Sequence, residues 1–77
     1  MDKNKIRSTN KASAILYIYD VLNTGVFLTK EELIDKFHIS SKTVGRYIIE
    51  INMHLSEEHS GKVVVYDNEA GGYRICQ

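Results

Sequence analysis

Between Thr29 and Leu55 the sequence carries two helix starts in close succession, and that pairing limits the folds open to the chain. Thr29-Lys30-Glu31-Glu32 is a capping box. The Thr29 hydroxyl can accept from the amide three residues on, and the Glu32 carboxylate can reach back to the amide of Thr29. A short helix should follow, carrying Leu33, Ile34 and Phe37 and ending near Phe37 or His38. Ser40 is then a second N-cap candidate. The helix it opens should run to about Leu55, because Val44, Ile48, Ile51 and Leu55 fall on one narrow face at ~100° per residue. Lys42 and Arg46 project from the opposite side. A short capped helix, a tight turn and a longer helix with one apolar face describe a helix-turn-helix.

The flanking segments extend this reading. From about Asn10 to Asn23, Ile15, Ile18, Tyr19 and Leu22 recur at spacings of three and four, the stripe of an amphipathic helix. Asn23-Thr24-Gly25 supplies a stop, with Gly25 free to turn left-handed. Val26-Phe27-Leu28 predicts one short strand between the first two helices. After a polar stretch from Ser56 to Lys62, Val63-Val64-Val65-Tyr66 has strand composition. Asp67 to Gly72 is a turn by residue type, and Tyr73-Arg74-Ile75-Cys76 returns as a second strand. The expected fold is α+β: a winged helix-turn-helix of three helices with a C-terminal two-stranded β-hairpin wing. Residues 1–9, with Lys3, Lys5 and Arg7, are expected to form a flexible basic arm, and residues 10–77 the one domain.

Composition narrows what holds this fold together and what it does. A domain of 77 residues buries only about 60% of its unfolded surface. Cys76, the one cysteine, cannot form an internal disulfide. Neither it nor His38, His54 and His59 stand at zinc-ligand spacings, so no metal is expected and the core must come from apolar packing. The histidines are read as surface residues or caps. No cofactor or small-molecule ligand is expected. Gly71-Gly72 is a hairpin turn rather than a phosphate cradle, since no Lys-Ser/Thr pair or following helix accompanies it. No paired acid and base or activated nucleophile is visible, so an enzyme is not expected. There is no signal-peptide pattern and no apolar run of membrane-spanning length, and the expected location is the cytoplasm.

The helix after Ser40 has the character that major-groove reading needs. A groove ~12 Å wide admits one helix, whose first turns must carry short hydrogen-bonding and cationic groups while an apolar face holds the entry angle. Ser41, Lys42, Thr43 and Arg46 meet the first demand; Val44, Ile48 and Ile51 meet the second. Thr43 either contacts a phosphate or satisfies its hydroxyl at the helix start. Tyr47 is read as packing or as a DNA contact. Ile49 and Met53 lie away from the apolar stripe and are expected to be covered by the hairpin, their exposure pointing instead to a protein interface, while Tyr17 and Val21 are weaker candidates for a dimer surface.

The segment LTKEELIDKFHISSKTVGRYIIEIN resembles the helix-turn-helix of DeoR-type regulators, and most of all the N-terminal winged domain of WYL-domain transcriptional regulators. The matching positions are Thr29, Glu32, Leu33, Phe37, Ile39, Ser40, Thr43, Val44, Arg46 and Ile48, followed in the wing by Val64, Tyr66, Asp67, Gly72 and Tyr73. The resemblance spans about residues 12–76. It implies a DNA-binding domain of a bacterial transcriptional regulator, binding double-stranded DNA as a homodimer through this or an attached domain. It further implies that Ser41, Lys42, Thr43 and Arg46 face DNA, with Thr29 and Lys30 on the backbone. Three positions depart from the pattern. Gly45 stands where a polar or basic residue is frequent, Tyr47 replaces a frequent acid, and the wing tip carries Glu69 where relatives are often basic. Ten basic residues balance ten acidic ones, giving net charge +0, where DNA binders are usually basic. A winged helix used for protein recognition without DNA binding is therefore the alternative.

Overall fold

The computed structural model describes residues 11–77; the basic arm and Asn10 lie outside them. The elements run α1 (Lys11–Asn23), α2 (Lys30–Phe37), α3 (Ser41–Glu57), β1 (Val63–Asp67) and β2 (Gly72–Cys76). The architecture is α+β, three helices and a C-terminal antiparallel hairpin, and is compatible with a winged helix. No helix among the described residues is long and apolar enough to cross a membrane.

Local chemistry sets the helix boundaries. At α1 the Gly25 amide bonds the Leu22 carbonyl at 3.1 Å, and Gly25 sits at φ 91°, a left-handed end that glycine adopts without a side-chain clash. The capping box of α2 is complete. Thr29 Oγ1 accepts from the Glu32 amide at 3.1 Å, and Glu32 Oε1 accepts from the Thr29 amide at 2.8 Å. His38 ends α2 in the left-handed region, at φ 55°, its amide donating to the Ile34 carbonyl at 2.8 Å. Ile39 and the cap Ser40 follow at once, which keeps the turn between α2 and α3 short. The end of α3 uses the same device. His59 is left-handed at φ 54°, and the amides of His59 and Ser60 donate to the carbonyls of Ser56 and Leu55. That is the Schellman pattern, built here on histidine, and it carries α3 two residues past Leu55.

The helices bury most of the expected positions, but Ile15, Tyr19 and Ile34 are only half-buried, while Ala14 and Tyr47 join the core. Ala14, Ile18 and Leu22 line up at intervals of four on α1. Leu33 and Phe37 come from α2, and Val44, Tyr47, Ile48, Ile51 and Leu55 from α3. Leu28, Val64 and Tyr73 close this core from the hairpin side. The Tyr17 ring meets Phe37 edge-on at 5.5 Å, and Lys36 Nζ lies 4.8 Å from the same ring. Tyr17 and Val21 are half-buried against the core.

The strand expected over Val26-Phe27-Leu28 reduces to one residue. Leu28 exchanges backbone hydrogen bonds with Tyr73, at 3.1 and 2.8 Å, as an isolated antiparallel bridge. Val26 and Phe27 remain exposed. The chain has no length for more: Gly25 still belongs to the end of α1 and Thr29 already caps α2.

Leu28 nevertheless fixes the hairpin. In the β1–β2 register Val64 faces Ile75 and Tyr66 faces Tyr73. Tyr73 turns its outer edge to Leu28. Val64 turns its outer edge to α3, where the Asn52 side chain takes both of its backbone groups. Asn52 Oδ1 accepts from the Val64 amide at 2.7 Å, and Asn52 Nδ2 donates to the Val64 carbonyl at 3.1 Å. The root of the hairpin is thus held on both sides, by a loop backbone and by an amide side chain. Gly72 is required at this junction, because a Cβ there would lie 2.8 Å from the Leu28 carbonyl oxygen. Docking through Asn52 also corrects the expectation for Ile49 and Met53. The hairpin seats on another side of α3 and leaves them 61% and 57% exposed.

Candidate nucleic-acid interface

With the Val44 face of α3 committed to the core, the opposite face stands in solvent. Ser41, Lys42 and Arg46 are all exposed there, on the first two turns. Among the described residues neither Lys42 nor Arg46 has an acidic partner. The ion pairs that form are elsewhere: Lys11 with Glu50, His54 with Glu58 and Arg74 with Asp67. Two uncompensated cations therefore lie one turn apart beside the helix N-terminus, itself the positive end of the peptide dipole.

The other expected contacts are placed differently. Thr43 turns to the cap: its Oγ1 lies 3.0 Å from Ser40 Oγ, which also accepts the Thr43 amide at 3.1 Å. Of its two readings, the local one describes the structure. Tyr47 is 8% exposed and belongs to the core. It lies three residues beyond Val44 and one before Ile48, inside the buried arc, as the packing reading expects. Thr29 is committed to the capping box. Lys30 is half-buried, with Nζ 5.8 Å from the Tyr66 ring centroid, so the start of α2 is tied to the hairpin. The structure thus groups Ser41, Lys42 and Arg46 on α3 and sets Thr29 and Lys30 apart, beside β1.

The hairpin tip is self-contained. Asp67 Oδ1 accepts from the amides of Glu69 at 2.9 Å and Ala70 at 3.1 Å, while Arg74 Nε reaches Oδ2 at 3.1 Å. Arg74, the only cation of β2, is spent inside the turn, and Glu69 is exposed at the tip. The tip offers phosphates no free positive charge. The Ala70 amide above all, then the Glu69 amide and Arg74, hold the Asp67 carboxyl below its ordinary value. A depressed folded pKa means the contribution of Asp67 is complete above the unfolded carboxylate value, about 3.9. It is lost as pH falls through the lower, folded value. An NMR titration should show the Asp67 carboxyl and the Glu69 and Ala70 amides moving together, with a midpoint below that of an unstructured aspartate. A midpoint at or above it would refute the turn geometry.

Sequence reading missed Asn52 and the contact between Lys30 and Tyr66. The signal for Asn52 was a lone amide residue directly after Ile51, close to the apolar arc. Its partner is backbone, which has no residue signature. No family profile, curated protein or solved structure matches this chain.

Proposed function

We propose that this chain is a winged helix-turn-helix that binds double-stranded DNA through the exposed face of α3, as the DNA-binding domain of a transcriptional regulator. The observation that carries this reading is Lys42 and Arg46, without acidic partners among the described residues, with Ser41, on the first turns of a helix whose other face is core. A groove-reading helix must be held rigidly from behind and stand clear in front. The caps at Thr29 and Ser40 and the five buried residues of α3 meet the first need. The resemblance to WYL-domain and DeoR-type regulators supports the same assignment. Arg46 and Lys42 would supply guanine or phosphate contacts. The neutral net charge and the compensated tip fit a module that leaves affinity to a second copy. One such domain buries only about 600–1,000 Å² on DNA, and a dimer would read half-sites about 34–36 Å apart.

A second reading, protein recognition, is favoured by the groove between α1 and α3, lined by Ile15, Leu16, Tyr19 and Ile51 with Glu50 and His54, where Leu16 is 62% exposed. Titrating the isotope-labelled chain with mixed-sequence duplex at low and moderate salt separates the two. DNA binding predicts amide shifts centred on Ser41 to Arg46 that weaken as salt rises, because phosphate binding releases counterions. No shift at low salt, with an excess of duplex, would rule DNA binding by this chain out.

A further inference from the structure

We infer that Ile49 is a base-reading residue, making the apolar contact to a thymine 5-methyl group, and that Gly45 clears its approach; this rests on the DNA-binding reading above. Single exposed apolar residues are ordinary on soluble proteins. Ile49 is singled out by what surrounds it. At 100° per residue, Lys42, Gly45, Arg46, Ile49 and Met53 share an arc of about 100° on the face away from the core. Ile49 continues the row that the two cations begin, one turn beyond Gly45.

Gly45 is the second observation. The chain has five glycines. Gly25, Gly61 and Gly71 occupy positive φ, and Gly72 lies against the Leu28 backbone. Those four have reasons within the molecule. Gly45 is helical, and a Cβ built there meets nothing within 4 Å. Glycine inside a helix weakens it relative to alanine, so the chain carries this weakness with no internal packing to require it. A bare backbone on the solvent face suits close approach by something outside. The flanking free cations point to a polyanion, and the branched side chain beyond them suits the one apolar group that base pairs present in the major groove, the thymine methyl. Lys42 and Ile49 are seven residues apart, about 10 Å along the helix. At about 3.4 Å per base step, Ile49 meets a base pair roughly three steps from the one beside Lys42.

The test uses sites selected from randomised duplexes, in which each thymine is then replaced by deoxyuridine, a change that removes the methyl alone. At one position the affinity of the natural chain should fall about fourfold, the worth of one buried methyl. Ile49→Ala should fold unchanged, bind the thymine site about as weakly as the natural chain binds the uracil site, and lose its sensitivity to that substitution. Gly45→Ala should raise the melting temperature yet weaken binding. If duplexes bind but no uracil substitution matters, or if Ile49→Ala keeps the full uracil effect, the assignment is overturned while DNA binding stands. If no duplex is selected at all, DNA binding itself fails.

Discussion

Replacing Asn52 with leucine should lower the melting temperature by about 10–20 °C. The substitution keeps the branched outline and heavy-atom count of asparagine and favours the helix, and Asn52 is only half-buried, so the loss belongs mainly to the hydrogen bonds. Two backbone groups of Val64, half-buried against α3, would lose their partners together. An unsatisfied buried polar group costs about 1–3 kcal/mol, and partial access to water places the pair near the low end, about 2–3 kcal/mol in all. In a domain of this size each kcal/mol moves the midpoint by about 4–8 °C. Asn52→Asp keeps the acceptor for the Val64 amide but sets a carboxylate against the Val64 carbonyl, so it should not rescue the fold fully. Amide exchange at Val64 gives the local readout, and its protection should fall before that of Val44 or Ile48. A midpoint within about 2 °C of the natural chain, with Val64 still protected, would show that the hairpin is held by apolar packing alone.

The second large effect concerns binding rather than stability. Lys42→Ala with Arg46→Ala should reduce affinity for duplex DNA at least about 30-fold, taking about 1–3 kcal/mol for a base contact and a comparable amount for its neighbour. If both cations meet phosphates, the slope of log affinity against log salt should shrink by about 2. If Arg46 reads guanine, the slope should shrink by about 1 and discrimination at one base pair should relax. Both residues are exposed and have no acidic partner among the described residues, so stability should change by no more than the ~0.5 kcal/mol usual for surface positions. An unchanged affinity and slope would make the pair an ordinary solvated helix face.

What the sequence disclosed, and what it withheld, follows the range of the interactions. The caps at Thr29 and Ser40 were legible because each is complete within four residues. So were Ile18 and Leu22 of α1 and Val44, Ile48, Ile51 and Leu55 of α3, since helix period and burial share one cause; Ala14 was not, being too small to mark a stripe. The short strand was not, because pairing depends on a distant partner. Three strand-forming residues stood ready, but Tyr73 presented one pair of backbone groups to that segment and Leu28 filled it. Tyr47 was legible in principle. Its helical phase places it with Val44 and Ile48, and packing was the first of the two readings its position offered. The exposure of Ile49 and Met53 was hidden, because it turns on where the hairpin docks. That is decided by Asn52 binding a backbone any residue could have supplied.

The fastening of the hairpin at Leu28 and Asn52 divides it into two parts with different freedom to change. Both holds lie at the root, whereas the turn from Asp67 to Gly71 closes through its own bonds and touches neither. Lengthening such a turn costs little, about 0.6 kcal/mol per doubling of the loop. The domain is therefore built like a tool with a fixed socket and an exchangeable bit. Descendants of this sequence can vary what the tip presents, in length or charge, without altering the angle at which α3 is held.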